Sequence, residues 1–171
     1  TSAAGEPCRP EEGRGPPERA VEEAKAKVPL GGEVRKVAAA FNRTAKRLGL
    51  TSRMALNECT KDGRTVCQIS ISSDLAGMAL SDDGTTTGSL LFIFGGDKAE
   101  PLRLIQALTV TMAMFAPSAE AAERGIVFEA LFAEIDTRKR TRAKLHGVSY
   151  EARASKDIGL WITIERSENG D

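Results

Sequence analysis

The sequence predicts an α+β domain in which a mostly antiparallel sheet of about five strands packs on two to three helices. Three observations favour this class. Residues 158–165 alternate apolar and polar side chains with the period of two that is typical of a half-buried strand. The turn dipeptide Asp62-Gly63 separates two strand-like runs. No regular alternation of strands with helices runs along the chain, so hairpins and antiparallel pairing are expected.

The N-terminal part is predicted to be flexible. Residues 1–20 contain four prolines and three glycines and almost no large apolar side chains, so they offer little to bury. Residues 18–27 are charged and alanine-rich, which suits a short helix that Pro29 then ends. We therefore divide the chain into a tail or linker over residues 1–32, a single α+β domain over residues 33–166 and a C-terminal tail over residues 167–171.

The domain is predicted to begin with an amphipathic helix over residues 34–48. Its apolar residues recur at spacings of three and four, and basic residues occupy its other faces. Gly49 ends this helix. Two strands follow at 54–59 and 65–71, on either side of the turn. Residues 72–80 fit either an irregular strand or a helical turn.

A buried strand, two helices and two further strands complete the prediction. The continuous apolar run at 90–94 is typical of a strand with both faces buried. Pro101 is expected at the first position of a mostly apolar helix that reaches Phe115. A second helix is predicted from residue 118 to residue 135, and the last two strands over 144–154 and 158–165.

The positions of two cysteines predict a disulfide bond. Cys59 and Cys67 lie almost symmetrically about the hairpin turn, and facing residues on adjacent antiparallel strands are close enough to be joined. Two reduced, packed thiols are the alternative. We favour the disulfide, which indicates an oxidising compartment. A chain that begins at Thr1 and not at Met is compatible with removal of a signal peptide and equally with a sequence that has been shortened at its start. We therefore expect a periplasmic or secreted protein.

The charge of the chain is balanced in total but uneven along the sequence. The 24 basic and 24 acidic residues exclude a globally basic or globally acidic protein. Residues 33–53 nevertheless carry six basic residues and one acidic residue, and residues 138–144 carry five basic residues. If the two segments meet, they form a surface for phosphates, anionic headgroups or an acidic protein. The candidate binding residues are Arg43, Lys46, Arg47, Arg138, Arg140, Arg142 and Lys144.

No catalytic constellation is visible in the sequence, so we predict no enzymatic activity, no cofactor and no metal. A single histidine excludes a His-rich metal site, and neither a phosphate-loop pattern nor a Gly-x-Ser-x-Gly motif occurs. The leading hypothesis is an exported binding domain that recognises a protein partner or an envelope component. The alternative is an intracellular binder of nucleic acid or of an anionic ligand through the same basic residues. An enzyme that uses His146 or a carboxylate pair is a third hypothesis and requires a cleft.

Overall fold

A seven-stranded antiparallel sheet with strand order β1-β2-β3-β4-β7-β6-β5 forms the centre of the fold. The structure, a computed structural model, describes residues 27–96, 99–135 and 138–168. The strands are β1 (Ala55–Asp62), β2 (Arg64–Ser72), β3 (Leu75–Ser81), β4 (Ser89–Phe94), β5 (Thr141–Leu145), β6 (Val148–Ser155) and β7 (Gly159–Arg166). The helices are α1 (Val37–Arg47), preceded by a 3-10 turn at Val34–Lys36, α2 (Pro101–Phe115) and α3 (Ala121–Phe132).

The α+β class is confirmed, but the prediction of about five strands is wrong. Residues 72–80, which the sequence left open, contain the regular strand β3 between β2 and β4. The predicted strand over 144–154 is in fact the hairpin of β5 and β6, with His146 and Gly147 as its two-residue turn. Both turn residues have positive φ, 47° and 76°, as such tight hairpin turns require. These two corrections raise the number of strands to seven.

The core lies between one face of the sheet and the helices. Burial alternates along the strands, and directly paired residues such as Phe92 of β4 and Ile162 of β7 are fully buried together. Phe41 of α1 and Leu108 of α2 are also fully buried in this core cluster. Val37, Phe41 and Ala45 of the predicted apolar stripe pack inward, whereas Leu48 at its end is 42% exposed. The basic residues of the helix lie at the surface.

The packed region starts ahead of the predicted domain boundary at Glu33. Leu30 is only 3% exposed, and its N–H donates to the carbonyl of Gly88. We call residues 30–33 the entry segment. The N–H of Gly31 donates to the carbonyl of Thr87, which joins the entry segment to the loop between β3 and β4. Residues 1–26, most of the predicted tail, lie outside the described residues. The entry segment matters because it lies beside α1 and lines the site described below.

The start of α2 is fixed by a buried carboxylate in the β2–β3 turn. The side chain of Asp74 is 6% exposed and accepts hydrogen bonds from the Ser72 hydroxyl and from the N–H of Glu100. Arg103 of α2 lies 3.4 Å from the same carboxylate. The Ser72 hydroxyl, more than the Glu100 N–H, holds the pKa of Asp74 below its ordinary value. This contact ties the start of α2 to the sheet.

Candidate functional site

A groove of about 670 Å³ runs between α1, the last turn of α2 and the entry segment at residues 30–33. We call it the α1–α2 groove. Its apolar walls come from both helices and from the entry segment, and they include Leu30, Val37, Ala40, Met114 and Phe115. The groove is open along its length, so a ligand can enter it from the surface without a change in the fold.

The charged residues that line the α1–α2 groove are mostly basic. Four cations line it, Lys36, Arg43, Arg47 and Arg166, against a single carboxylate, Glu33. Glu33 is paired with Lys36, whose ammonium lies 2.8 Å from its carboxylate. Across the described parts of the chain, the side chains of Arg43 and Arg47 form no ion pair or hydrogen bond. Two exposed guanidinium groups are therefore available to an anion at an apolar surface.

The spacing of residues along α1 explains why these side chains share one groove. Lys36, Ala40, Arg43 and Arg47 follow each other at intervals of four, three and four residues, which places them on one face of a helix. This face lies beside the buried stripe that contains Phe41. Over eleven residues it extends for about 16 Å. The groove is thus an elongated surface as well as a basic one.

Arg166, at the end of β7, closes one end of the groove. Its guanidinium donates to the carbonyl of Leu30 at 3.1 Å, so it holds the entry segment against the sheet. Arg166 also lines a second, shallower depression on β5 and β6. It therefore stands between the two basic segments that the sequence analysis singled out.

Four of the seven predicted binding residues line these two places. Arg43 and Arg47 line the α1–α2 groove, while Lys46 is exposed on α1 outside it. Arg142 and Lys144 line the depression on β5 and β6, where three carboxylates accompany three cations. Arg140 and Arg142 both pair with one carboxylate, Glu151, at 3.0 and 2.7 Å. Arg138 is exposed, next to residues 136 and 137, which are not described.

The basic residues of β5 have a structural explanation. β5 is an edge strand of the sheet, and a row of charged side chains on an edge strand discourages pairing with a second sheet. Because the single carboxylate of Glu151 pairs with Arg142 of β5 and with Arg140 just ahead of it, these two arginines are less available to a ligand than the arginines of α1. The two basic segments therefore differ in what they can bind.

Three polar side chains that the sequence analysis did not connect meet beside the end of α2. The hydroxyl of Ser118 lies 3.0 Å from Nδ1 of His146, and Nε2 of His146 lies 3.0 Å from a carboxylate oxygen of Glu123. We call this set the Ser118 cluster. The hydrogen bond from the imidazole is the main reason why the pKa of Glu123 is lowered. Glu123 also closes the capping box of α3 by accepting from the N–H of Glu120.

Sequence reasoning missed Lys36 and Arg166 in the groove and all the contacts of the Ser118 cluster. One signal was present: His146-Gly147 between two alternating runs indicates a hairpin turn, which would have placed His146 at a loop tip. The meeting of α1 with the last turn of α2 depends on tertiary packing, and no local pattern predicts it.

No metal centre is found in the described residues, where no three His, Cys, Asp or Glu side chains are grouped to hold an ion. Within the described residues (27–96, 99–135 and 138–168), no helix has both the length and the apolar character that crossing a lipid bilayer requires. Comparisons with protein-family models, curated proteins and solved structures give no match to this chain.

Proposed function

We propose that the protein is an exported binding domain and that the α1–α2 groove recognises an acidic, partly apolar segment of a partner protein. The observation that carries this proposal is the combination of two unpaired arginines, Arg43 and Arg47, with apolar walls in one groove. Cations on the rim attract carboxylates, and apolar walls gain from covering aliphatic side chains.

The shape of the groove favours a protein segment over a small anion. A length of about 16 Å along α1 corresponds to roughly three helical turns of a bound helix. Partner helices bind in such grooves through apolar anchors at intervals of three and four residues. The partly exposed apolar residues Ala40, Met114 and Phe115 would meet those anchors, while the arginines would meet acidic residues beside them.

Export is supported by the disulfide between Cys59 and Cys67, which are direct partners in the β1–β2 register. Structural disulfides form and persist mainly in oxidising compartments. The alternative function, binding of nucleic acid or a free anion inside the cell, has less support. Tyr150, which pairs with Ala143 of the basic strand β5, is fully buried, so it offers no ring on which a base could stack there.

Charge reversal in the groove tests the proposed function. The probe is a fluorescent helical peptide of about 14 residues, built from Glu, Leu and Ala with leucines at intervals of three and four. In fluorescence anisotropy we expect the double variant Arg43→Glu/Arg47→Glu to bind it at least about tenfold more weakly than the wild type, because carboxylates would then face carboxylates.

The matched control is Lys46→Glu/Lys144→Glu, which makes the same change in net charge outside the groove. Its affinity for the probe should stay within about twofold of that of the wild type, because salt screens charges that lie outside the groove. Equal losses in the two double variants would mean that net charge alone drives binding, and the groove would not be the site. Binding to single-stranded DNA that exceeds binding to the peptide would favour the alternative function.

A further inference from the structure

We infer that Ser118 is a nucleophilic serine, activated by His146 as general base and directed by Glu123 as a positioning residue. The reaction it would support is acyl transfer from activated carboxylic esters. The geometry carries this inference: a hydroxyl and a carboxylate lie 3.0 Å from the two nitrogens of one imidazole. A nucleophile, a base and a group that orients the base are the three components of such a site. The inference does not rest on ligand binding in the α1–α2 groove.

The carboxylate determines which nitrogen of His146 carries the proton. Glu123 is ionised at neutral pH, since the imidazole hydrogen bond lowers its pKa, and an ionised carboxylate only accepts hydrogen bonds. Nε2 must then donate to Glu123, which leaves the lone pair of Nδ1 directed at the Ser118 hydroxyl. This is the protonation state that a general base next to a serine requires.

The backbone around the cluster holds these groups in place. His146 occupies a left-handed conformation, φ 47°, in the β5–β6 turn, where asparagine and glycine are the favoured residues. The N–H of Ser167 donates to the carbonyl of Gly147 at 2.8 Å and so ties this turn to the end of β7. Glu123 is fixed by the capping box of α3. The turn and the cap thus fix the positions of His146 and Glu123 relative to each other.

The cluster is exposed at the surface. Its three residues line neither the α1–α2 groove nor the depression on β5 and β6, so the inference stands on their mutual geometry and not on the cleft that the sequence analysis required of an enzyme. Ser118 is exposed, and the side chain of His146 is 35% exposed. Ser118 directly follows Pro117, which lines the α1–α2 groove, and it precedes the first turn of α3 by three residues.

The reaction is balanced within the cluster. The Ser118 oxygen forms a bond to the carbonyl carbon of the ester while its proton moves to Nδ1 of His146. The bond from that carbon to the leaving oxygen then breaks, and the leaving oxygen takes the proton. Water attacks the resulting acyl-serine in the same way, which releases the carboxylic acid and restores the hydroxyl. Because the cluster is open to water, only esters with a good leaving group are expected to react.

Covalent labelling with a fluorophosphonate tests the inference. The serine oxygen forms a bond to phosphorus, and fluoride and the proton leave. By peptide mass spectrometry we expect Ser118 to be labelled about 10²-fold faster than Ser73, an exposed serine of the β2–β3 turn. His146→Asn should remove this difference. Asparagine suits the left-handed turn, so the fold is retained. Equal labelling of the two serines, or labelling that His146→Asn leaves unchanged, would overturn the inference.

Ring nitrogen NMR provides a test that does not depend on reactivity. His146 is the only histidine in the chain, so its imidazole signals need no assignment by mutation. At about pH 8 we expect Nε2 to be protonated and Nδ1 to be free. Glu123→Gln, which keeps a capping-box residue but removes the charge, should reduce this preference. The opposite tautomer in the wild type would overturn the assignment of His146 as the base.

Discussion

Replacing Gly77 with alanine is expected to destabilise the domain by about 3 kcal/mol or more. Gly77 lies in the middle of β3, opposite Phe92 of β4. A β-carbon added there would clash with the backbone carbonyl oxygen of Leu91, far inside contact distance. That oxygen belongs to the backbone of a central strand, so it cannot move without disturbing the ladder. Urea unfolding followed by circular dichroism would measure the loss.

The matched control for this substitution is Gly125→Ala. Gly125 lies in α3, and a β-carbon added there meets no atom within 4 Å. Alanine is favoured over glycine inside a helix by about 1 kcal/mol, so this variant should be as stable as the wild type or more stable. If Gly77→Ala were also as stable as the wild type, the close approach of β3 to β4 at this position would be wrong.

Loss of the disulfide is expected to cost about 2–3 kcal/mol, because the bond closes a short loop in the unfolded chain. Cys59→Ala is the suitable variant, since Cys59 is only partly buried while Cys67 is fully buried. β1 is an edge strand that pairs only with β2. Hydrogen exchange should therefore become faster mainly in β1, and amides of β4 and β7 should respond to the change in global stability alone.

The wild type under reducing conditions is the control for Cys59→Ala, and it should show the same loss. Unchanged stability in both would mean that the bond adds nothing to the stability of the fold.

The oxidation state of the same two cysteines tests whether the protein resides in an oxidising compartment. Alkylation of natively isolated protein, followed by mass spectrometry, should find Cys59 and Cys67 blocked from reaction. Two free thiols in that sample would remove the argument for export.

Much of the fold could be predicted because its signals are local. The Asp62-Gly63 turn predicted the first hairpin and placed Cys59 opposite Cys67, as the register confirms. The helix over Pro101–Phe115 was predicted at its observed bounds, since a proline marks its start and its residues are almost all apolar. At this turn and at this helix the prediction and the structure agree.

β3 was not predicted as a regular strand because its sequence has little intrinsic preference for one. Glycine and alanine are poor strand formers, and the segment Leu75–Ser81 contains three of them. Its position between β2 and β4 imposes the extended conformation, and Gly77 allows the close approach to β4. Pairing with two neighbouring strands thus overrides the low strand preference of this segment. A pattern within one segment cannot reveal such pairing.

The site was predicted only in part, because it depends on which elements meet. The basic residues of α1 were recognised as candidates from charge alone. Sequence could not show that Met114 and Phe115 would supply apolar walls beside them, nor that Glu151 would pair with Arg140 and Arg142. Packing therefore distinguishes two basic segments that looked equivalent in the sequence.

Mapping the peptide probe on the protein by amide NMR tests the central claim most directly. Titration of the acidic peptide into isotope-labelled protein should shift the amides of the α1–α2 groove most strongly, with the largest changes at Gly31, Gly32, Ala40, Thr44 and Met114. The shifts should decline as salt rises from roughly 50 to 300 mM, because the arginines contribute through charge. The largest shifts at residues 142–151, with the groove amides unchanged, would contradict the account.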